Sequence, residues 1–200
     1  MRGGAALAIA LVLSGCAGFG PGPTQRYFVF EAAPPRAIDA PAKRQLTLLV
    51  APTTATGFYD TQEIIYSRSP GQRAYYQYSS WTDAPNRSLG SLLAMRLERS
   101  GAFGNVAQTM SGVRGSLLLR THLDEIYHDA SSIPGSARVA LTAELSDPAA
   151  RRMLGRRSFT ASVPARSHDA AGAVQGFNEA FGVVLDDVAA WVGSVAATER

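Results

Sequence analysis

The chain has 200 residues, with 19 basic and 16 acidic side chains, three histidines and one cysteine, for a formal charge of +3. So small an excess falls short of the basic stripe that nucleic acid requires, and a lone cysteine excludes an internal disulfide framework. Once the N-terminal segment is set aside, about 175 residues remain, enough for one domain with a substantial core.

The first element is an apolar run, Ala5 to Leu13, preceded by the single positive residue Arg2 and followed by Ser14, Gly15 and Cys16. A helix over that run rises about 14 Å, roughly half of a ~30 Å hydrocarbon core, so it is too short to span a bilayer. Residues 1–15 are therefore expected to be a cleaved signal peptide. Leu13-Ser14-Gly15-Cys16 is similar to the lipobox of bacterial lipoproteins, in which small residues give lipidating enzyme and peptidase access to the cysteine. That resemblance implies a diacylglyceryl group on the Cys16 thiol, cleavage before it, and acylation of its new amine. The alternative, an ordinary secretory peptide with an incidental cysteine, leaves Cys16 as an unpaired thiol in an export pathway. Cleavage removes Arg2 and leaves a charge of +2. Ala17 follows the cysteine where an Asp commonly signals inner-membrane retention in Gram-negative lipoproteins, so the outer membrane is the expected address.

Residues 16–25 read as the lipidated cysteine and a Gly/Pro-rich tether; Ala17 to Thr24 reach about 25 Å when extended. The domain is expected over residues 26–196. Arg26 to Phe30 reads as a first strand, interrupted by the proline-rich stretch Pro34 to Pro41, and Gln45 to Val50 as a second. Gln62 to Ser67 and Arg73 to Tyr78 flank Ser69-Pro70-Gly71, which predicts a hairpin. Leu89, Leu92, Leu93 and Leu97 lie on one helical face between Pro85 and Gly101, which predicts a helix over Asn86 to Ser100 with Asn86 as its cap.

Leu117, Leu119, Thr121 and Leu123 alternate, as do Val139, Leu141, Ala143 and Leu145, and then Phe159, Ala161 and Val163, so three half-buried strands are expected in a meander. The dense basic stretch Arg151, Arg152, Arg156 and Arg157 reads as a solvated hairpin, or as a surface for phosphate headgroups or an acidic partner. Val174 to Val195 carries apolar residues at spacings of three and four, a long amphipathic helix, with His168-Asp169 at its start. No segment after Cys16 has eighteen consecutive apolar residues, so none is expected to span a bilayer. The pattern predicts an α+β two-layer sandwich: a mixed or mainly antiparallel sheet of five to seven strands with two main helices on one face.

Chemistry is sparse. His122, Asp124 and His128 share a strand face if that strand runs unbroken, where they would form a metal or acid-base site or merely mark the solvent side; the leucines on the other parity favour the solvent side. No catalytic residue, metal ligand or cofactor is expected beyond the covalent lipid on Cys16. The aromatic cluster Tyr66, Tyr75, Tyr76, Tyr78 and Trp81 is the candidate surface for a partner or lipid, with rings on both sides of the sheet.

These features follow an order. Tyr27-Phe28-Val29-Phe30 comes soon after the cysteine, then Ile64-Ile65-Tyr66-Ser67-Arg68, Tyr75-Tyr76 and Trp81-Thr82-Asp83-Ala84-Pro85. Leu97 to Phe103, Leu141-Thr142-Ala143-Glu144-Leu145 with Asp147, Phe159 and a closing helix ending in Trp191 complete the set. In this order the chain resembles the auxiliary lipoproteins of ABC-type lipid transport systems, including the lipoprotein partners of paraquat-inducible and mammalian-cell-entry (MCE) transporters. The resemblance implies a non-catalytic periplasmic domain on the outer membrane, partnered by a permease, an ATPase and a periplasm-spanning substrate-binding protein of the MCE type. The sequence departs from that pattern at Trp81-Thr82-Asp83, where a small residue more often follows Trp, and no motif identifies the cargo. A homo-oligomeric ring around a conduit would suit the role. A structural or assembly lipoprotein contacting peptidoglycan or outer-membrane proteins would share every feature up to Thr24.

Overall fold

The computed structural model describes residues 22–36 and 44–198; Cys16, the signal segment and most of the tether lie outside them. Nine strands and two main helices follow one another: β1 (Arg26–Phe28), β2 (Arg44–Val50), β3 (Thr54–Ala55), β4 (Glu63–Ser67), β5 (Ala74–Trp81), α1 (Pro85–Arg99), β6 (Phe103–Gln108), β7 (Leu117–Asp129), β8 (Ser136–Asp147), β9 (Arg152–Pro164) and α2 (Ala170–Thr198). The architecture is the expected α+β arrangement, with more strands than five to seven. The additions have little sequence signal. Strand β3 is two residues long, and β6 carries Gly104 and Asn105, which disfavour strands on their own. Strand β6 is held by parallel pairing to β2, a long-range contact that no local pattern announces.

The sheet is organised by β7. At 13 residues it extends about 43 Å, far longer than any strand laid along one of its edges. That edge takes β2 at Leu117–Leu119, β3 at His122–Leu123 and β4 at His128–Asp129, all parallel and end to end. The other edge pairs antiparallel with β8, which pairs with β9 to complete the expected meander. Two sub-sheets thus branch from β7: β2 with β6, and β4 with β5 and β1. Strands β1 and β9 form opposite margins of the sheet.

Both helices cover one face. Helix α1 packs on β6, β2 and β3, α2 packs on β8 and β9, and the helices touch each other. The expected alternation in β8 is realised, with Ala137, Val139, Leu141, Ala143 and Leu145 all buried beneath Phe177, Phe181, Val184 and Val188 of α2. By length and composition α2 is apolar enough to cross a bilayer, but its apolar residues are packed within this core. Asp169 precedes the helix and accepts hydrogen bonds from the Gly172 N–H (2.8 Å) and the Ser167 hydroxyl (2.7 Å), which hold its carboxyl below the usual range. Helix α1 starts one residue earlier than expected, with Pro85 in its first turn and no side-chain cap. Asn86 is not the cap: it lies inside the helix and donates to Asp60 at 3.1 Å.

The segment after β1 runs across both helices as a strap. Phe30 packs edge-on against Phe181 at 4.8 Å and Trp81 at 6.0 Å. The Ala33 N–H donates to the Asn178 carbonyl at 2.8 Å. Gly182 permits this crossing, because a Cβ there would stand 2.7 Å from that of Ala33. Beneath the strap, Arg96 of α1 and Asp186 of α2 form a buried ion pair at 3.4 Å. Arg96 also donates to the Ala33 carbonyl, and Asp186 accepts the Arg36 N–H at 3.1 Å.

Candidate functional site

The five candidate aromatics do not share one surface. Trp81 is buried against Phe30 and Phe177 and belongs to the core, so it offers no contact area. Its partner in register is Phe28 of β1, and both lie on the helix side of the sheet. Tyr66 and Tyr76 are half-buried and pack on each other at 4.8 Å, with the Arg68 guanidinium over Tyr66. Tyr75 and Tyr78 are exposed. As anticipated from strand alternation, Tyr75 and Tyr76 leave opposite sides of β5.

Tyr75 stacks on Phe58 at 5.3 Å, and Phe58 meets Tyr59 edge-on at 5.5 Å. Tyr59 is buried, and its hydroxyl accepts from Arg73, whose guanidinium lies 3.7 Å from the Tyr127 ring centre. The loop between β3 and β4 is thereby fixed over the face opposite the helices. Phe58 escaped the sequence reading because it sits in an apparent loop, and only the fold brings it to Tyr75.

The polar trio separates as well. Between Leu123 and Glu125 the β7–β8 register slips by one residue at Asp124, so residues after this bulge change face. His122 therefore stays on the side away from the helices, bonded to the Thr54 and Thr56 hydroxyls at 2.8 and 3.2 Å. Asp124 accepts from the Thr142 hydroxyl at 2.7 Å. His128 instead turns inward and is fully buried, which corrects the expectation that all three mark the solvent face. Among the described residues no group of three or more His, Cys, Asp or Glu side chains gathers around a common point.

His128 has a defined protonation pattern. Its Nε2 lies 3.0 Å from the Pro134 carbonyl, which can only accept, so Nε2 carries the proton. Nδ1 then accepts from the Tyr76 hydroxyl at 2.6 Å. Burial pushes the His128 imidazole below its ordinary value, reinforced by the neighbouring His168, while Pro134, Asp129 and Asp169 act the other way. Burial, with Asp169, pushes the Tyr76 phenol up to about 12. Gly135 makes the arrangement possible: its φ is +86°, and a Cβ there would come within 2.5 Å of His128 Nε2.

The depressed His128 value sets a direction for stability. The unfolded chain binds more protons than the folded one below about pH 6.5, so the His128 contribution is intact above that pH and falls as pH drops towards the folded value. Asp129 and Asp169, both depressed, add a second loss below about pH 3.8. Denaturation midpoints are expected to fall between pH 7 and 5, and His128→Asn is expected to flatten that slope. A parent protein equally stable at both pH values would contradict the assignment.

The chain matches the family model for the ABC-type transport auxiliary lipoprotein component over residues 28–189. Among solved structures it is similar to protein XCC0632 from Xanthomonas campestris, with 20% identity over 86% of this chain and 97% of that one and a TM-score of 0.74. It is also similar to an uncharacterized protein at 11% identity, covering 84% and 99% with a TM-score of 0.65. The hypothetical protein CT253 from Chlamydia trachomatis is likewise similar, at 9% identity over 78% and 100% with a TM-score of 0.51. At these identities the structures speak for the fold alone. No curated protein matches the chain. The family match runs from the end of β1 to the body of α2, and the chain belongs to the ABC-type transport auxiliary lipoprotein family.

Proposed function

We propose that this chain is an outer-membrane-anchored periplasmic lipoprotein serving as a non-catalytic subunit of an MCE-like ABC system that moves lipids or other hydrophobic molecules between membranes. The observation that carries the reading is the extent of the family match, residues 28–189, which takes in β2 to β9, the last residue of β1 and most of α2. The geometry is compatible with a docking role. The three histidines are held in hydrogen bonds that fix loops and strands: His122 to Thr54 and Thr56, His128 to Tyr76 and Pro134, and His168 to the Pro134 carbonyl at 3.2 Å. The lipid on Cys16 anchors the domain, and the sheet surface meets the bridging protein or the membrane.

The test is recovery of the full-length lipidated protein from membranes in mild detergent. Permease, ATPase and an MCE-type bridging protein are expected to accompany it. Recovery of peptidoglycan or barrel-assembly proteins without a permease or ATPase would sink the transport role.

A further inference from the structure

Of the ten large apolar side chains exposed among the described residues, five lie around one margin of the sheet, while the others, Met153 of β9 among them, lie elsewhere. Tyr27 is 67% exposed, Val29 58%, Tyr75 43%, Tyr78 42% and Phe58 41%. Strand β1 is the outermost strand there, and it pairs in parallel with β5, Tyr27 opposite Ser80 and Phe28 opposite Trp81. Phe28 and Phe30 pack into the core on the helix side, so the alternating Tyr27 and Val29 leave the opposite side. Tyr78 stands next to Ser79, the register partner of Arg26, and the Phe58–Tyr75 stack lies farther along the same sub-sheet. The rest of that open face differs in character. Across β7, β8 and β9 it presents Arg120, His122, Thr142, Glu144, Arg156 and Ser158, paired in register.

We propose that the β1–β5 margin lies against the surface of the bilayer that holds the Cys16 lipid, an orientation that rests on the anchor reading above. Arg26 follows Cys16 by ten residues, so β1 stays within about 33 Å of the anchor, whereas β9 is five strand spacings, about 24 Å, farther across the sheet. The tether keeps β1 at high effective concentration next to the membrane, where contacts too weak to recruit a free protein are populated. Side-chain chemistry agrees: tyrosine, with an apolar ring and a polar tip, suits the boundary between headgroups and acyl chains. Glu63 and Asp60, the nearby carboxylates, accept hydrogen bonds from Ser80 and Asn86. The rival orientation places the arginines of the β9 margin on anionic headgroups.

Depth-dependent quenching distinguishes them. The lipidated full-length protein has its native thiol occupied, so Val29→Cys, Tyr78→Cys and, in β9, Thr160→Cys each carry one fluorescent label. The proteins are reconstituted in phosphatidylethanolamine–phosphatidylglycerol vesicles containing nitroxide lipid, with Tyr27→Cys as a further position if either margin variant fails to fold. Labels at 29 and 78 are expected to be quenched several-fold more than the label at 160. Equal quenching at all three, or stronger quenching at 160, overturns the orientation. So does a margin that lipid does not quench but that added permease and bridging protein shield, since the surface then belongs to a protein. A wild-type protein that does not float with vesicles refutes the anchor itself.

Discussion

A Cys16→Ala protein is expected to leave the membrane fraction almost completely while keeping a folded domain. The reasoning is thermodynamic. Each buried methylene contributes about 0.8 kcal/mol, so one acyl chain binds reversibly and two or three hold a protein durably. The β1–β5 margin offers only a few side chains of contact, and α2 cannot substitute as an anchor because its apolar surface is committed to the sheet. Fractionation of the variant, with thermal unfolding measured alongside, checks both halves. A variant that still sediments with membranes and supports envelope function would refute the lipid anchor.

Asp186→Ala is expected to produce the largest loss of stability among substitutions outside the aromatic core, about 3–5 kcal/mol. The carboxylate is buried beside the Arg96 guanidinium, which burial already holds below its ordinary value while Asp186 raises it. Without Asp186 the positive charge stays in the core opposite no counter-charge, and the Arg36 N–H loses its acceptor. The strap over the two helices would loosen with it. In a domain of this size a loss of that order corresponds to roughly 6–20 °C in melting temperature. Replacing both partners, Arg96→Met with Asp186→Leu, is expected to cost less than the single change, because no buried charge is then left alone. A melting temperature for Asp186→Ala within about 2 °C of the parent would contradict this account.

The pair also shows where sequence reasoning stops. Arg96 lies in an amphipathic helix close to Glu98 and Arg99, and Asp186 stands beside Asp187 in another. Nothing local separates them from surface charges, and their partnership is made by the crossing of α1, α2 and the strap. The trio in β7 failed as a unit for a related reason. Period-two alternation places residues on faces only while the ladder is continuous, and the bulge at Asp124 follows from pairing with β8, which the sequence of β7 does not reveal. His128, marked for solvent by its spacing, is thereby carried into the core.

By itself the sequence determined the elements with strong periodicity, namely the β8 and β9 strands, the β4–β5 hairpin and the two helices, and from them the α+β class, together with the order of residues that resembles the lipoprotein family. These are properties of local hydrophobic pattern and turn chemistry, which a chain carries in its own residues. Only the tertiary structure decided that β3 and β6 are strands, that Trp81 is core while Tyr75 gains Phe58 as a neighbour, and that Arg96 and Asp186 meet. Each of these depends on a partner distant in sequence, and its free energy exists only once the chain has closed around it.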